Sequence, residues 1–200
     1  MERRSYELKE IRAFDGADMP PTISGYAAVF DSPSEDLGGF IETIAPGAFA
    51  DTLDGDVRAL WNHNSTYVLG RTTNGTLSLA EDERGLRFEV QPPDTSYAAD
   101  VVALIKRGDI NQMSFGFEVL DDEWRTENGK NYRTLKKVRL FEVSPVTFPA
   151  YPETSAEARK KCEQLTATAS RATGGAADER PAGRRAIQML KNKLKLARVK

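Results

Sequence analysis

The stretch MSFGFEVL, residues 113–120, places one hydroxyl and one glycine among bulky apolar side chains. In a β-strand, successive side chains point to opposite faces of the sheet. One predicted face is apolar and belongs to the core, and it consists of Met113, Phe115 and Phe117. Ser114 and Gly116 share the other face, where a hydroxyl lies beside bare backbone. Either this face is outward-facing strand surface, or space is kept clear there for a substrate.

Further strands are predicted on both sides of this stretch. Runs of alternating or β-branched residues predict strands at 23–30, 57–63, 68–72, 76–80, 86–90 and 132–148. Glycine-containing pairs predict turns between them at Asn74-Gly75, Arg84-Gly85 and Asn128-Gly129. PGAFADTL, from Pro46, is typical of a short helix with proline in its first turn.

The clearest predicted helix lies directly before MSFGFEVL. Possible N-cap oxygens come from residues 94–96, and the helix is expected to end at Gly108. Apolar residues recur at helical spacing between these ends, at Ala98, Val101, Val102 and Ile105. Six or seven strands with one good helix predict a mainly β fold with helices, as an antiparallel barrel or sandwich.

Composition narrows the class of protein. The 200 residues are 40% hydrophobic and 29% charged, which is typical of an ordinary soluble protein. No apolar run approaches the roughly 20 residues that cross a bilayer, and the first residues lack the apolar segment of a secretory signal. A single cysteine, Cys162, can form no internal disulfide, which fits a reducing cytoplasm. We therefore predict a cytoplasmic protein that does not bind membranes.

Charge divides the chain into two parts. Residues 155–200 hold 12 Lys or Arg against 4 Asp or Glu, a balance of +8, and residues 1–154 carry −10. We predict a folded domain at 1–154, with its core at about 20–154, and a linker with a basic tail at 155–200. Residues 154–165 can be helical, and the segment TATASRATGGAADERPAGRR has the composition of a linker. The last 15 residues can form a basic amphipathic helix.

Few residues can carry chemistry. The sequence has no phosphate-binding glycine loop, no pair of CxxC motifs and no HExxH motif, and we predict neither cofactor nor metal. With one histidine in the chain, any hydrolase that uses an imidazole base must use His63. Glu142 is a carboxylate in a strongly apolar strand, which is unusual unless it has a partner. The alternatives are a partly exposed histidine at a strand end and a solvated glutamate on an edge strand.

Five motifs in order resemble one family. The succession GYAAVFD, IAPGAF, ALWNHN, INQMSFGF and FEVSPVTFPAYPET resembles the tailed-bacteriophage prohead proteases, the serine proteases of capsid maturation. The resemblance runs from about Ile23 to Thr154. It implies an antiparallel β-barrel flanked by helices, like that of the herpesvirus assembly proteases.

The resemblance also implies roles for individual residues. His63 matches the general base and Ser114 the nucleophile, while Glu142 is the best candidate for the acid that orients the imidazole. Because herpesvirus enzymes use a second histidine there, a Ser–His dyad is the alternative. Gly116 is predicted to leave room for the substrate peptide, or else to allow a bulge or twist in the strand. Backbone donors for the oxyanion are expected near Ala150.

The function implied is a serine endopeptidase that works in the host cytoplasm, inside the viral procapsid. Its expected partners are the major capsid protein and its scaffolding segment, and it is expected to cut itself as well. Self-association is left open. The alternative is a non-enzymatic scaffold protein held by the basic tail. Nucleic-acid binding is not predicted, because the tail has no recognition motif.

Overall fold

The computed structural model describes residues 1–6, 11–16, 19–148 and 156–172. Within them are ten strands and two α-helices. The strands are β1 (Glu2–Tyr6), β2 (Arg12–Gly16), β3 (Met19–Val29), β4 (Phe40–Ile44), β5 (Arg58–Trp61), β6 (Asn64–Arg71), β7 (Leu77–Glu81), β8 (Gly85–Val90), β9 (Gln112–Glu127) and β10 (Lys130–Val146). The helices are α1 (Ser96–Arg107) and α2 (Ala156–Ala172), and short 3-10 helices lie at Ala50–Thr52 and Thr72–Asn74.

The strands form two sheets. A six-stranded sheet has the order β1-β9-β10-β5-β6, with β4 also paired to β10, and a four-stranded sheet has the order β2-β3-β8-β7. The mainly β fold with helices is confirmed. Most pairs are antiparallel as predicted, but β10 pairs in parallel with both β4 and β5.

The long hairpin of β9 and β10 is the centre of the larger sheet. Its two strands join at Asn128-Gly129, where both residues have positive φ, as the predicted turn requires. The apolar face predicted from MSFGF is confirmed, since Met113, Phe115 and Phe117 are fully buried in the main core. Burial of these three large side chains fixes the register of β9.

Helix α1 begins after Thr95, one of the predicted N-cap residues, although no side-chain cap hydrogen bond forms there, and it ends at Gly108 as predicted. Its four predicted apolar residues are all buried, and Gly108 ends it with φ 89° and a backbone N–H bond to the Ile105 carbonyl. A left-handed residue at this place is typical of a helix C-terminus. The short helix predicted from Pro46 is shorter than expected: the structure has only a 3-10 helix at Ala50–Thr52.

Three strands were not predicted: β1, β2 and β4. In β1, charged residues occupy the places where a half-buried strand usually carries apolar ones. Glu2 and Arg4 are nevertheless buried, because each has charged partners inside the protein. A pattern of hydrophobic alternation has no means of detecting such a strand.

Two compact units divide the chain, Met1–Ala167 and Thr168–Lys200. The first unit includes most of α2, whose Cys162 is buried against Phe40 and Leu37. The helix predicted at 154–165 is thus observed at Ala156–Ala172. The predicted domain boundary after Thr154 stays a prediction, and the predicted amphipathic helix at the end of the chain lies outside the described residues.

Candidate active site

One face of the β9–β10 hairpin gathers the predicted site residues. Ser114 pairs directly with Ser144, and Gly116 pairs directly with Glu142. Residues directly opposite in antiparallel strands share a face, with Cβ atoms about 4.5–5.5 Å apart. Both serines and Glu142 are buried, so this polar group lies inside the protein.

A bulge in β10 gives Glu142 its direction. The register shifts between Leu140, which pairs with Phe117, and Glu142, which pairs with Gly116. Phe141 is therefore an extra residue, and Leu140 joins the core face while Glu142 joins the opposite face. Strict alternation along residues 140–148 would predict that Leu140 and Glu142 share one face, and the bulge is the reason why this prediction is wrong. A bulge next to a functional site commonly redirects a side chain in this way.

His63 belongs to a two-residue turn between β5 and β6. Asn62 and His63 have φ of 53° and 57°, and the flanking Trp61 and Asn64 pair with each other. Positive φ at both central residues is the geometry of a tight hairpin turn. The Asn62 side chain accepts a bond from the Thr147 amide at 2.8 Å and donates to the Thr147 hydroxyl at 3.3 Å. The turn is thereby fixed to the end of β10.

The turn brings the imidazole onto Glu142. His63 Nδ1 lies 2.6 Å from Glu142 Oε1, and the two side chains are 8% and 6% exposed. At this distance the carboxylate accepts a hydrogen bond from Nδ1–H, which leaves Nε2 as the basic nitrogen. Nε2 is buried and has no hydrogen-bond partner among the described residues. An imidazole held this way can accept a proton from a nucleophile.

The Ser114 hydroxyl is bound elsewhere in this structure. Its Oγ donates to the Arg4 carbonyl of β1 at 2.8 Å, and the residue is 0% exposed. No hydrogen bond joins Ser114 to His63 among the described residues. The structure thus joins His63 to Glu142 and puts Ser114 on the same face. Hydrogen bonds between catalytic groups are often formed only once substrate is bound.

Gly116 makes room for Glu142. A Cβ at position 116 would lie 2.5 Å from Glu142 Oε1 and 3.2 Å from its Cδ. The open space predicted beside Gly116 is therefore filled by the carboxylate. The predicted part of Gly116 in substrate binding stays a prediction, while its contact with Glu142 is a separate structural reason for glycine.

A buried ion cluster anchors β1 beside Ser114. The Arg4 guanidinium contacts Glu42 at 2.6 Å and Glu2 at 2.6 Å, and Arg133 contacts the same two carboxylates at 3.1 and 3.2 Å. Burial alone lowers the pKa of Arg4, but the two carboxylates outweigh that effect and raise it. Since every charge in this cluster has a partner, burial is tolerated. The carbonyl that holds Ser114 thus belongs to a firmly anchored strand.

The described residues were also compared with the requirements of a metal site and of a membrane-spanning helix. No group of three or more His, Cys, Asp or Glu residues there could hold a metal ion. Nor does any described helix have the length and apolar character needed to span a membrane. The predicted oxyanion segment near Ala150 lies outside the described residues.

Sequence reasoning missed three contributors to this arrangement. They are Ser144, which contacts both Glu142 and the His63 amide, Asn62, which anchors the turn, and Arg4, whose carbonyl holds Ser114. Asn62 carried a signal, because Asn before His is compatible with two positive φ values. The other two had no local signal, since their partners lie on different strands.

Comparison with known proteins agrees with the family resemblance. The profile of the caudovirus prohead serine proteases matches residues 6–169. The chain is 32% identical over 165 residues to the prohead protease of Enterobacteria phage HK97, which covers 80% of this chain and 69% of that protein. It is also similar to the solved capsid assembly protease of bacteriophage T4, with a TM-score of 0.48, 13% identity and coverage of 74% and 96% of the two chains. The profile match over most of its length shows that the chain belongs to the caudovirus prohead serine protease family, a family of phage peptidases.

Proposed function

We propose that this chain is a serine endopeptidase of phage capsid maturation. It acts inside the procapsid in the host cytoplasm, cuts the scaffolding segment from the major capsid protein, and cuts itself. The observation that carries the proposal is the 2.6 Å contact between His63 Nδ1 and Glu142 Oε1, on the face that holds Ser114. Family membership and the name of the HK97 relative support a capsid protease.

The proposed roles follow from the chemistry of the three groups. Ser114 Oγ attacks the scissile carbonyl carbon while His63 Nε2 takes the hydroxyl proton. Nε2 then returns this proton to the leaving amine as the peptide C–N bond breaks, and an acyl-enzyme ester remains. Water hydrolyses the ester with Nε2 again as the base. Glu142 holds the Nδ1–H tautomer and stabilises the imidazolium that forms.

Substrate access requires movement. Ser114 is fully enclosed, and its hydroxyl is donated to Arg4 rather than to an imidazole. For attack, the hydroxyl must turn away from the Arg4 carbonyl and towards Nε2. Rotation about the Cα–Cβ bond of Ser114 releases the hydroxyl from the Arg4 carbonyl without unfolding β1. The backbone next to the site must open enough for a peptide to approach.

The first experiment tests the nucleophile, the base and the orienting acid together. The chain is co-expressed with its capsid protein, and the products are weighed by mass spectrometry. We expect Ser114→Ala and His63→Ala each to lower cleavage on the order of 10⁶-fold, with the double variant little worse. Glu142→Gln should lower it less, by about 10²- to 10⁴-fold, because a misoriented imidazole still functions partly.

Controls separate loss of chemistry from loss of fold. Ser24→Ala changes a half-buried serine of the other sheet and should cleave normally. A fluorophosphonate probe should label the wild-type chain at Ser114 and leave Ser114→Ala unlabelled. Normal processing by folded Ser114→Ala would end the serine-protease proposal and favour a non-enzymatic assembly role. Normal processing by Glu142→Gln would reduce the triad to a dyad.

Self-cleavage has its own arm in the same experiment. Wild-type enzyme is mixed with an isotope-labelled Ser114→Ala chain, which can serve only as a substrate. We expect cuts within residues 155–200, on the C-terminal side of α2, where residues 173–185 have the composition of a linker. An uncut labelled chain, in the presence of a processed capsid protein, would remove self-cleavage between molecules from the proposal.

A further inference from the structure

We infer that Ser144 is a positioning residue that holds both the Glu142 carboxylate and the His63 turn in place. The inference deepens the proposed function and rests on it. Nothing in the resemblance assigned Ser144 a part. It follows from three described features: the two contacts of the Ser144 hydroxyl, its complete burial, and its place opposite Ser114.

The first contact fixes the carboxylate. Ser144 Oγ donates to Glu142 Oε2 at 2.5 Å, while Glu142 Oε1 accepts from His63 Nδ1 at 2.6 Å. The two carboxylate oxygens therefore have separate partners on two sides, and rotation of the carboxylate would break both bonds. On the β9 side, the carboxylate occupies the space that a Cβ at position 116 would take. The Oε1 atom is held where the imidazole needs it.

The second contact fixes the histidine backbone. Ser144 Oγ accepts a bond from the His63 amide N–H at 3.3 Å. This amide belongs to a residue with φ 57°, a conformation that non-glycine residues adopt only with support from their surroundings. One hydroxyl thus links the orienting acid to the base by using both its donor and its acceptor capacity.

The same contacts argue against Ser144 as a nucleophile. Its proton is donated to a carboxylate, and its acceptor capacity is used by a backbone amide. Ser114, directly across the hairpin, has a hydroxyl bound only to a backbone carbonyl and can exchange that partner by rotation.

The test uses two shape-matched pairs of side chains at position 144. Ser144→Ala removes the hydroxyl, and Ser144→Val removes it while matching the shape of Ser144→Thr, which keeps it. For a capsid-protein peptide, we expect kcat to fall about 10- to 100-fold in the Ala and Val variants, with KM changed less than about twofold. Ser144→Thr should recover most of the kcat. Ser24→Ala should match the wild type.

A spectroscopic readout separates positioning from general damage. Because His63 is the only histidine, its imidazole proton and nitrogen signals need no assignment among alternatives. We expect a slowly exchanging, low-field Nδ1–H proton in the wild-type and Ser144→Thr chains. In folded Ser144→Ala and Ser144→Val, that proton should exchange fast enough to broaden or vanish. Circular dichroism and thermal melting verify the fold of each variant.

The outcomes distinguish this inference from the proposed function. A sharp Nδ1–H signal and unchanged kcat in folded Ser144→Ala would overturn the positioning role while the protease assignment stands. If the wild-type chain neither cleaves nor labels at Ser114, the protease assignment fails. The proton signal then still reports whether Ser144 orders the pair of His63 and Glu142. If Ser144→Ala and Ser144→Val do not fold while Ser144→Thr does, the hydroxyl is structural and the inference is also overturned.

Discussion

Gly116 sets how closely the Glu142 carboxylate can approach β9. A Cβ added at this position would lie 2.5 Å from Oε1 and 3.2 Å from Cγ and Cδ, which is closer than non-bonded atoms tolerate. The backbone of β9 cannot retreat easily, because Phe115 and Phe117 on its other face are fully buried. The carboxylate has to move instead. A glycine in the middle of a strand usually lowers the stability of that strand. At position 116, this loss accompanies the space that the Glu142 carboxylate needs.

We therefore expect Gly116→Ala to fold but to lose activity. The displaced carboxylate would leave Nδ1 of His63, and cleavage of a capsid-protein peptide should fall about 10- to 100-fold. The same close contact should lower the melting temperature of Gly116→Ala. Adding Glu142→Asp shortens the acid by one methylene and relieves the contact, so the double variant should recover thermal stability without recovering activity. Wild-type cleavage by Gly116→Ala would contradict the claim that a Cβ at position 116 displaces the Glu142 carboxylate from His63.

At the scale of elements, the turn between β5 and β6 delivers the base. Its two central residues need positive φ, and Asn is one of the few non-glycine residues that adopt it readily. The reciprocal bonds between Asn62 and Thr147 join this turn to the end of β10. Asn62 N–H also donates to the Pro145 carbonyl at 3.0 Å. The turn that carries His63 is therefore hydrogen-bonded to the strand that carries Glu142.

Two substitutions at Asn62 should separate conformation from hydrogen bonding. Asn62→Gly keeps access to positive φ but loses the side-chain bonds, whereas Asn62→Ala loses both. We expect Asn62→Ala to lower the free energy of unfolding by about 1 to 3 kcal/mol, and Asn62→Gly by less. Activity should fall in the same order. Urea unfolding and peptide cleavage measure the two effects, and equal stability of both variants would contradict the role of positive φ.

Local patterns in the sequence predict the elements that hydrophobic burial defines. The hairpin around Asn128-Gly129, helix α1 with Gly108, and the core face of β9 all follow from period and turn chemistry. Strand β1 does not, because Glu2 and Arg4 pair with residues far along the chain. Long-range charge pairing leaves no local periodicity.

The residues of the site could be predicted from the sequence, but the contacts between them could not. His63 and Glu142 were named together, and the contact between them is observed. The bulge at Phe141 was not foreseeable from alternation, because an extra residue in one strand depends on the register of its partner. The contacts of Ser144 could not be predicted for the same reason, since they depend on a bulged strand and a distant turn.

At the scale of the whole molecule, α2 completes the first compact unit. Cys162 is buried beside Phe40, and Asn131 donates to its Sγ at 3.2 Å and to Thr166 Oγ1 at 3.0 Å. Lys161 contacts Asp122 at 2.8 Å. Burial alone raises the pKa of Asp122, but hydrogen bonds from Lys161 and Trp124 and the charge of Arg133 outweigh burial and lower it. A lowered carboxyl pKa stabilises the fold above about pH 4, and this stability is lost as pH falls through the lowered value.

Two truncations should show where the folded part ends. A chain that ends at Ala167 keeps the whole first unit, whereas a chain that ends at Ala158 loses the contacts of Lys161, Cys162 and Thr166. Removing them uncovers Leu37 and Phe40, on which Cys162 packs, and this loss of apolar burial costs about 1 to 3 kcal/mol. We expect the longer chain to melt and cleave like the full chain. The shorter chain should melt at a lower temperature at pH 7, and it should lose less additional stability than the longer chain as pH falls below about 4, because it already lacks the Lys161 contact with Asp122.

Lys161→Met in the full-length chain is the control for the acid effect, because it removes the ion pair and keeps the helix. It should lower the melting temperature slightly at pH 7, where Asp122 is charged, and this difference from the wild-type chain should shrink as pH falls below about 4 and Asp122 is protonated. The two truncated chains also test the basic tail, since both lack residues 168–200. If that tail docks the enzyme to scaffold or capsid protein, the chain ending at Ala167 should cleave a peptide normally yet be packaged poorly into procapsids. Normal packaging of this chain would overturn the docking role, and loss of peptide cleavage would instead make the tail part of the working fold.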